Sequence, residues 1–158
     1  MDRQTHQTPR HDATQPEPSE IAGGLVRVVL ALVIIELTLT TANIHFSLGG
    51  QLFTLNGFGY VVLGTAYAIG ALVPFTFVRR IAWLPRVGLL GFTLTTIAAY
   101  LVIGPYFALG WITKGIESAI VALLITDMLV VYGGPKDVLN AALDTFSAPR
   151  PPSGPRPA

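Results

Sequence analysis

LFTLNGFGYVVLGTAYAIGALVPFTFV, residues Leu52 to Val78, runs for 27 residues without one charged side chain. The hydrocarbon core of a bilayer is roughly 30 Å thick, so a spanning helix needs about 20 mostly apolar residues. This stretch meets that requirement with room to spare. Downstream, Val87 to Thr113 is equally free of charge and is broken only by Gly104-Pro105. Ile21 to Asn43 on one side and Trp111 to Tyr132 on the other are also apolar, but each carries ionisable residues. The pattern predicts an all-α, four-helix transmembrane bundle over residues 21–132, with spans at 22–43, 52–74, 87–103 and 111–132.

Composition agrees. Of 158 residues 51% are hydrophobic and 12% charged, about half the charged share of a soluble domain. The mean hydropathy is +0.58. A formal net charge of +1 provides no basic stripe for phosphate neutralisation, so nucleic acid is not an expected partner. The absence of cysteine removes disulfides, thiolate chemistry and sulfur ligands.

The chain ends differ from the middle. Residues 1–20 are polar and lack apolar periodicity, as expected of a disordered tail. Residues 147–158 form a Pro-rich tail, with five prolines in the last eleven positions, and are expected to be disordered too. Between span four and that tail, Pro135 suits the first position of a helix over 135–146. Val138, Leu139, Ala142, Leu143 and Phe146 share one face of it, which predicts an amphipathic interfacial helix or one packed under the bundle.

Orientation follows from the basic residues. Arg79, Arg80 and Arg86 fall in the connection between spans two and three, whereas Ile44–Gln51 holds no Lys or Arg. Arg3, Arg10, Lys136, Arg150 and Arg156 lie in the tails. This distribution places both termini and the middle connection in the cytoplasm, in a plasma (inner) membrane. Phe75, Phe77 and Trp83 would line the inner interface, and Phe46, Tyr106, Phe107 and Trp111 the outer one.

Small residues recur along span two (Gly57, Gly64, Ala68, Ala71) and span three (Gly88, Gly91, Thr95, Ala99). They permit close helix approach within one chain or between copies.

Ionisable residues inside a span cost at least roughly 2.5–3.5 kcal/mol each at the bilayer centre, so they mark structural locks or sites. Arg27 and Asp127 both fall roughly 8 Å to the cytoplasmic side of the midplane, which predicts a structural ion pair between spans one and four. The alternative is an Arg27 that snorkels to the headgroups while Asp127 faces a polar pocket. On the outer side, Glu36 and Glu117 lie about 5 and 7 Å from the midplane. Lys114 is one turn from Glu117. Thr40 and Asn43 continue the Glu36 face, Asn56 enters from span two, and His45 sits at the membrane edge. Glu36, Thr40, Asn43, Asn56, Lys114 and Glu117 therefore form a candidate proton- or ligand-binding cluster, or else a polar network pinning spans one and four together.

No phosphate loop, paired-histidine metal motif or Gly-x-Ser-x-Gly elbow occurs, so no enzymatic activity, cofactor or metal is expected. The expected surroundings are the lipid bilayer and either further copies of the chain or another membrane protein.

Leu55-Asn56-Gly57-Phe58-Gly59-Tyr60 together with Gly110-Trp111-Ile112-Thr113-Lys114-Gly115-Ile116-Glu117 resembles a group of small four-span prokaryotic membrane proteins of unassigned function. That resemblance covers residues 21–132 and implies a fold but no activity. Glu36 followed by Thr40-Thr41 is similar to span one of the small multidrug resistance transporters, in which a first-span Glu exchanges protons for cationic drugs. The likeness stops there. Ala66-Tyr67-Ala68-Ile69 falls in span two rather than three, no membrane-embedded Trp follows it, and a charged fourth span is foreign to that family. It implies a proton-coupled role for Glu36 alone. The reading is a non-enzymatic structural or accessory membrane protein, with a small oligomeric proton-coupled transporter as the alternative.

Overall fold

A computed structural model describes residues 18–147. Residues 1–17 and 148–158, which hold nearly all of both tails, lie outside the described residues. Six helices follow in order: α1 (Pro18–Leu48), α2 (Gln51–Leu72), α3 (Thr76–Ile81), α4 (Trp83–Ile103), α5 (Ala108–Tyr132) and α6 (Pro135–Phe146). Among the described residues there is no strand. Four helices are long and apolar enough to cross a membrane: Ile21–Leu48, Gln51–Leu72, Trp83–Ile103 and Ala108–Tyr132.

The helix limits have local causes. Val73 precedes Pro74 and takes extended backbone (φ −93°, ψ 120°), because the proline ring disfavours helical geometry in the residue before it. That ends α2 at Leu72, two residues short of the expected 74. Gly104 before Pro105 does the same to α4 (φ −73°, ψ 146°). Between α1 and α2, Gly49 and Gly50 have φ of 68° and 83°, a left-handed pair that turns the chain back within two residues. α1 runs on to Leu48, well past the expected end at 43.

Each long helix packs on two others. α1 contacts α2 and α5, and α4 contacts the same two, so the bundle is a square with α1 and α4 on a diagonal. Ile34, Tyr60, Tyr67, Leu89, Ile120 and Leu124 fill its centre with no exposure. Gly64 lets α1 and α2 close together: a Cβ there would lie 2.8 Å from Thr38 Cγ2. The span-two small residues thus serve contacts inside the chain. On α4, by contrast, Gly91 has open space beside it, and Thr95 and Ala99 are exposed.

α3 and α6 close one end of the bundle, termed here the basic end. Arg80 Nη2 donates to the Thr145 carbonyl at 2.9 Å, and Trp83 Nε1 donates to Thr145 Oγ1 at 3.1 Å. Phe146 meets the Trp83 ring edge-on. α6 is therefore tied under the bundle while Leu139, Leu143 and Phe146 remain exposed.

Candidate functional site

Two buried charge clusters occupy opposite halves of the bundle. Toward the end away from α3, Glu117 on α5 is fully buried. Its Oε2 accepts from Lys114 Nζ one turn away on α5 and lies 3.1 Å from Thr96 Oγ1 on α4, whose single proton is shared with the Thr93 carbonyl at 2.8 Å. Thr96 also meets the Tyr60 hydroxyl of α2 at 2.8 Å. Lys114 reaches the Thr96 carbonyl at 3.4 Å and stands 5.4 Å from the centre of the Tyr100 ring. Four helices thus converge on one carboxylate.

The fourth helix is α1, which contributes His45. Its Nδ1 lies 2.8 Å from the Thr41 carbonyl, and its Nε2 is 3.8 Å from Glu117 Oε1. A neutral ring that donates Nδ1–H to Thr41 turns an Nε2 lone pair toward the carboxylate. Glu117 Oε1 then has no donor, and it is one of three buried side-chain atoms without a hydrogen-bond partner among the described residues. Beside this cluster a cavity of about 100 Å³ is lined by His45, Asn56, Thr96, Tyr100 and Lys114, with Phe53 and Phe107 as apolar wall.

The second cluster lies toward the basic end. Arg86 on α4 donates through Nε to Asp127 Oδ2 on α5 at 2.7 Å and through Nη1 to the Ala82 carbonyl at 2.8 Å. Its guanidinium carbon is 5.4 Å from the centre of the Tyr67 ring and 5.8 Å from that of Tyr132. Both charged side chains are buried, at 4% and 2% exposure.

This overturns the expected clasp. Asp127 is paired, but with Arg86 rather than with Arg27. Arg27 instead donates Nη2 to the Val130 carbonyl at 3.1 Å from an exposed position. The cause is the start of α4. That helix begins at Trp83 rather than near 87, so Arg86 is carried into its first turn and points into the bundle instead of standing in a connection.

The outer cluster is also rearranged. Lys114 and Glu117 come together, and Asn56 joins them as cavity lining. Glu36, Thr40 and Asn43 do not. The face of α1 turned inward holds Ala31, Ile34, Thr38, Thr41, Ala42 and His45. Glu36 lies about 200° round the helix from Ile34 at 100° per residue, and it is exposed. Asn43 is exposed and Thr40 half-buried, and none of the three makes a side-chain hydrogen bond among the described residues.

Sequence reasoning passed over Tyr60, Thr96 and Arg86. Tyr60 and Thr96 carry no formal charge and so gave no signal of their own. Arg86 reads as basic in the sequence, but the apolar pattern puts it in a connection. Between the clusters, Ile34, Leu89, Ile120 and Leu124 form a fully buried apolar layer. Among the described residues no group of three His, Asp or Glu is placed to hold a metal ion. Comparison with protein-family models, with curated proteins and with solved structures finds no match, so the functional reading rests on the residues themselves.

Proposed function

We propose that this chain is a non-enzymatic structural or accessory protein of a prokaryotic plasma membrane that works as an assembly of copies joined through α1. In this reading the basic end and both termini are cytoplasmic, because Arg79, Arg80 and Lys136 cluster there. The observation that carries it is the position of Glu36. It lies roughly 2 Å from the middle of Ile21–Leu48, is exposed on the face turned away from the bundle, and has no side-chain hydrogen bond or ion pair among the described residues. An ionisable residue at that depth is expensive against lipid, so its natural place is a protein interface. The two buried acids, Glu117 and Asp127, are already engaged with Lys114 and Arg86 and act as locks between helices.

A second copy fits the exposed face. Glu36, Thr40, Asn43 and Ser47 follow at steps of four, three and four along one side of α1. A carboxylic acid, a hydroxyl and an amide each donate and accept, so each can hydrogen-bond to its own image across a two-fold axis. The one-sided arginine distribution gives every copy the same orientation, which makes the assembly parallel. Since the chain lacks cysteine, Asn43→Cys and Ser47→Cys should cross-link between copies under mild oxidation in native membranes. Val62→Cys, exposed on α2, should not. No cross-link at Asn43→Cys, or an equal one at Val62→Cys, would remove this reading.

Proton-coupled transport is the second reading, favoured by the same mid-span carboxyl with Thr40 and Asn43 along its face. It requires that Glu36→Gln abolish pH-driven flux in reconstituted vesicles. The accessory reading requires that the wild-type protein carry no such flux.

A further inference from the structure

Among the described residues a large polar cavity lies not at Glu117 or Glu36 but at the basic end. It measures about 410 Å³ and is lined by Arg27 of α1, Arg79 of α3, Arg86 of α4, and Asp127 and Tyr132 of α5. The last turn of α2 and Pro74 close the remaining side. Three arginines and one aspartate line it, a formal excess of two positive charges around one concavity. Asp127 is committed to Arg86 at 2.7 Å. Among the described residues Arg27 makes a single side-chain hydrogen bond, to the Val130 carbonyl, and the rest of its donor fork is unpaired there. Arg79 is exposed and makes no side-chain hydrogen bond among the described residues. Its neighbour Arg80 is different: the α6 carbonyls hold it, and it does not line the cavity.

We infer that this cavity binds a phosphate-bearing anion, clamped between Arg27 and Arg79 with Arg86 at its back. A planar guanidinium pairs with phosphate oxygens through two parallel hydrogen bonds, which a lysine in its place would not do. The dimensions suit a headgroup. The cavity lies at the end of α2, the start of α4 and the end of α5, and Arg27 and Ala31 line it from about two to three turns inside the α1 span, so it reaches inward from the headgroup side. Basic pockets between spans take such headgroups. Ala31, Ala71, Leu72 and Val131 supply an apolar wall on which a glycerol backbone can rest. The chemistry is that of a phosphate ester, whose source is either an anionic phospholipid or a soluble phosphate compound.

The test uses the full chain in mild detergent and reads retained lipid by native mass spectrometry, with the thermal unfolding midpoint as a parallel measure. Phosphatidylglycerol should be retained and should raise the midpoint, while zwitterionic phosphatidylcholine should do neither. Arg79→Gln, which removes no side-chain hydrogen bond or ion pair among the described residues, should weaken phosphatidylglycerol binding about fivefold, and the Arg27→Gln, Arg79→Gln pair about thirtyfold. Arg80→Gln should leave it unchanged. Inorganic phosphate in millimolar excess separates the sources: no displacement of the lipid assigns the site to phospholipid, and full displacement with an equal midpoint rise assigns it to a soluble phosphate. Equal retention of the two lipids, or undiminished binding by the double variant, would overturn the inference.

Discussion

The sharpest quantitative consequence concerns Arg86 and Asp127. Their 2.7 Å contact lies between side chains of 4% and 2% exposure, linking α4 to α5. Removing one member strands the other. Arg86→Met leaves the Asp127 carboxylate beside two tyrosine rings, and Asp127→Leu leaves Arg86 only its Ala82 carbonyl and those rings. Breaking a buried pair in this way costs about 3–5 kcal/mol in protein interiors, and we expect about 3 here because the adjoining cavity admits water to relieve the stranded group. The double variant replaces both charges by apolar groups that pack between Tyr67 and Tyr132, so it should cost no more than either single change.

The assay is reversible unfolding in mixed micelles, following helix loss across a double-mutant cycle. Arg27→Ala serves as the reference, since one exposed bond to the Val130 carbonyl is worth about 1 kcal/mol or less. Additivity of Arg86→Met and Asp127→Leu within about 0.5 kcal/mol would show that the pair does not interact. An Arg27→Ala cost equal to that of Arg86→Met would refute the assignment of Asp127 to Arg86.

Other outcomes follow from single contacts. Thr96→Val removes the hydroxyl shared by Tyr60 and Glu117 and should destabilise by about 1–3 kcal/mol in the same assay, since a buried acceptor and a buried phenol lose a partner. Gly64→Ala forces a Cβ against Thr38 and should cost about 1–3 kcal/mol, whereas Gly91→Ala meets open space and should be neutral or stabilising by up to about 1. Membrane-impermeant thiol labelling should reach Gln51→Cys and Ala108→Cys from one side and Thr76→Cys and Lys136→Cys from the other. A shared side for Gln51→Cys and Thr76→Cys would contradict the four-span arrangement.

The number of spans was legible because each exceeds bilayer length, and length is a property of the chain alone. Which face a helix turns inward is not. Charge marks residues that need company but not the company they find. Asp127 was identified as paired, yet its partner depended on whether α4 starts at Trp83 or four residues later. Nothing in Trp83-Leu84-Pro85-Arg86 fixes that start, since proline is tolerated in the first turn of a helix and equally at home in a connection. Lys114 and Glu117 were easier: a spacing of three on one helix brings them together whatever the neighbours do.

α1 poses the harder problem, because its last four turns carry two polar faces. Thr38, Thr41 and His45 turn inward and are buried, while Glu36, Asn43 and Ser47 turn outward and are exposed. A rule that polar residues in a span point into the bundle selects one face, and the stronger charge on Glu36 selects the wrong one. Thr38 and Thr41 can hide among apolar neighbours because a hydroxyl can bond back to its own helix, as Thr38 Oγ1 does to the Ile34 carbonyl at 2.7 Å. An ionised carboxyl has no such recourse: it has no proton to return to its own helix, and free backbone N–H groups are offered only at a helix N-terminus, whereas Glu36 is in mid-helix. The residue least able to satisfy itself is therefore the one the bundle leaves uncovered. In the proposed assembly that uncovered face meets another protein surface, which would relieve the cost of leaving a mid-span carboxyl against lipid; the buried locks, already engaged within the chain, create no such demand.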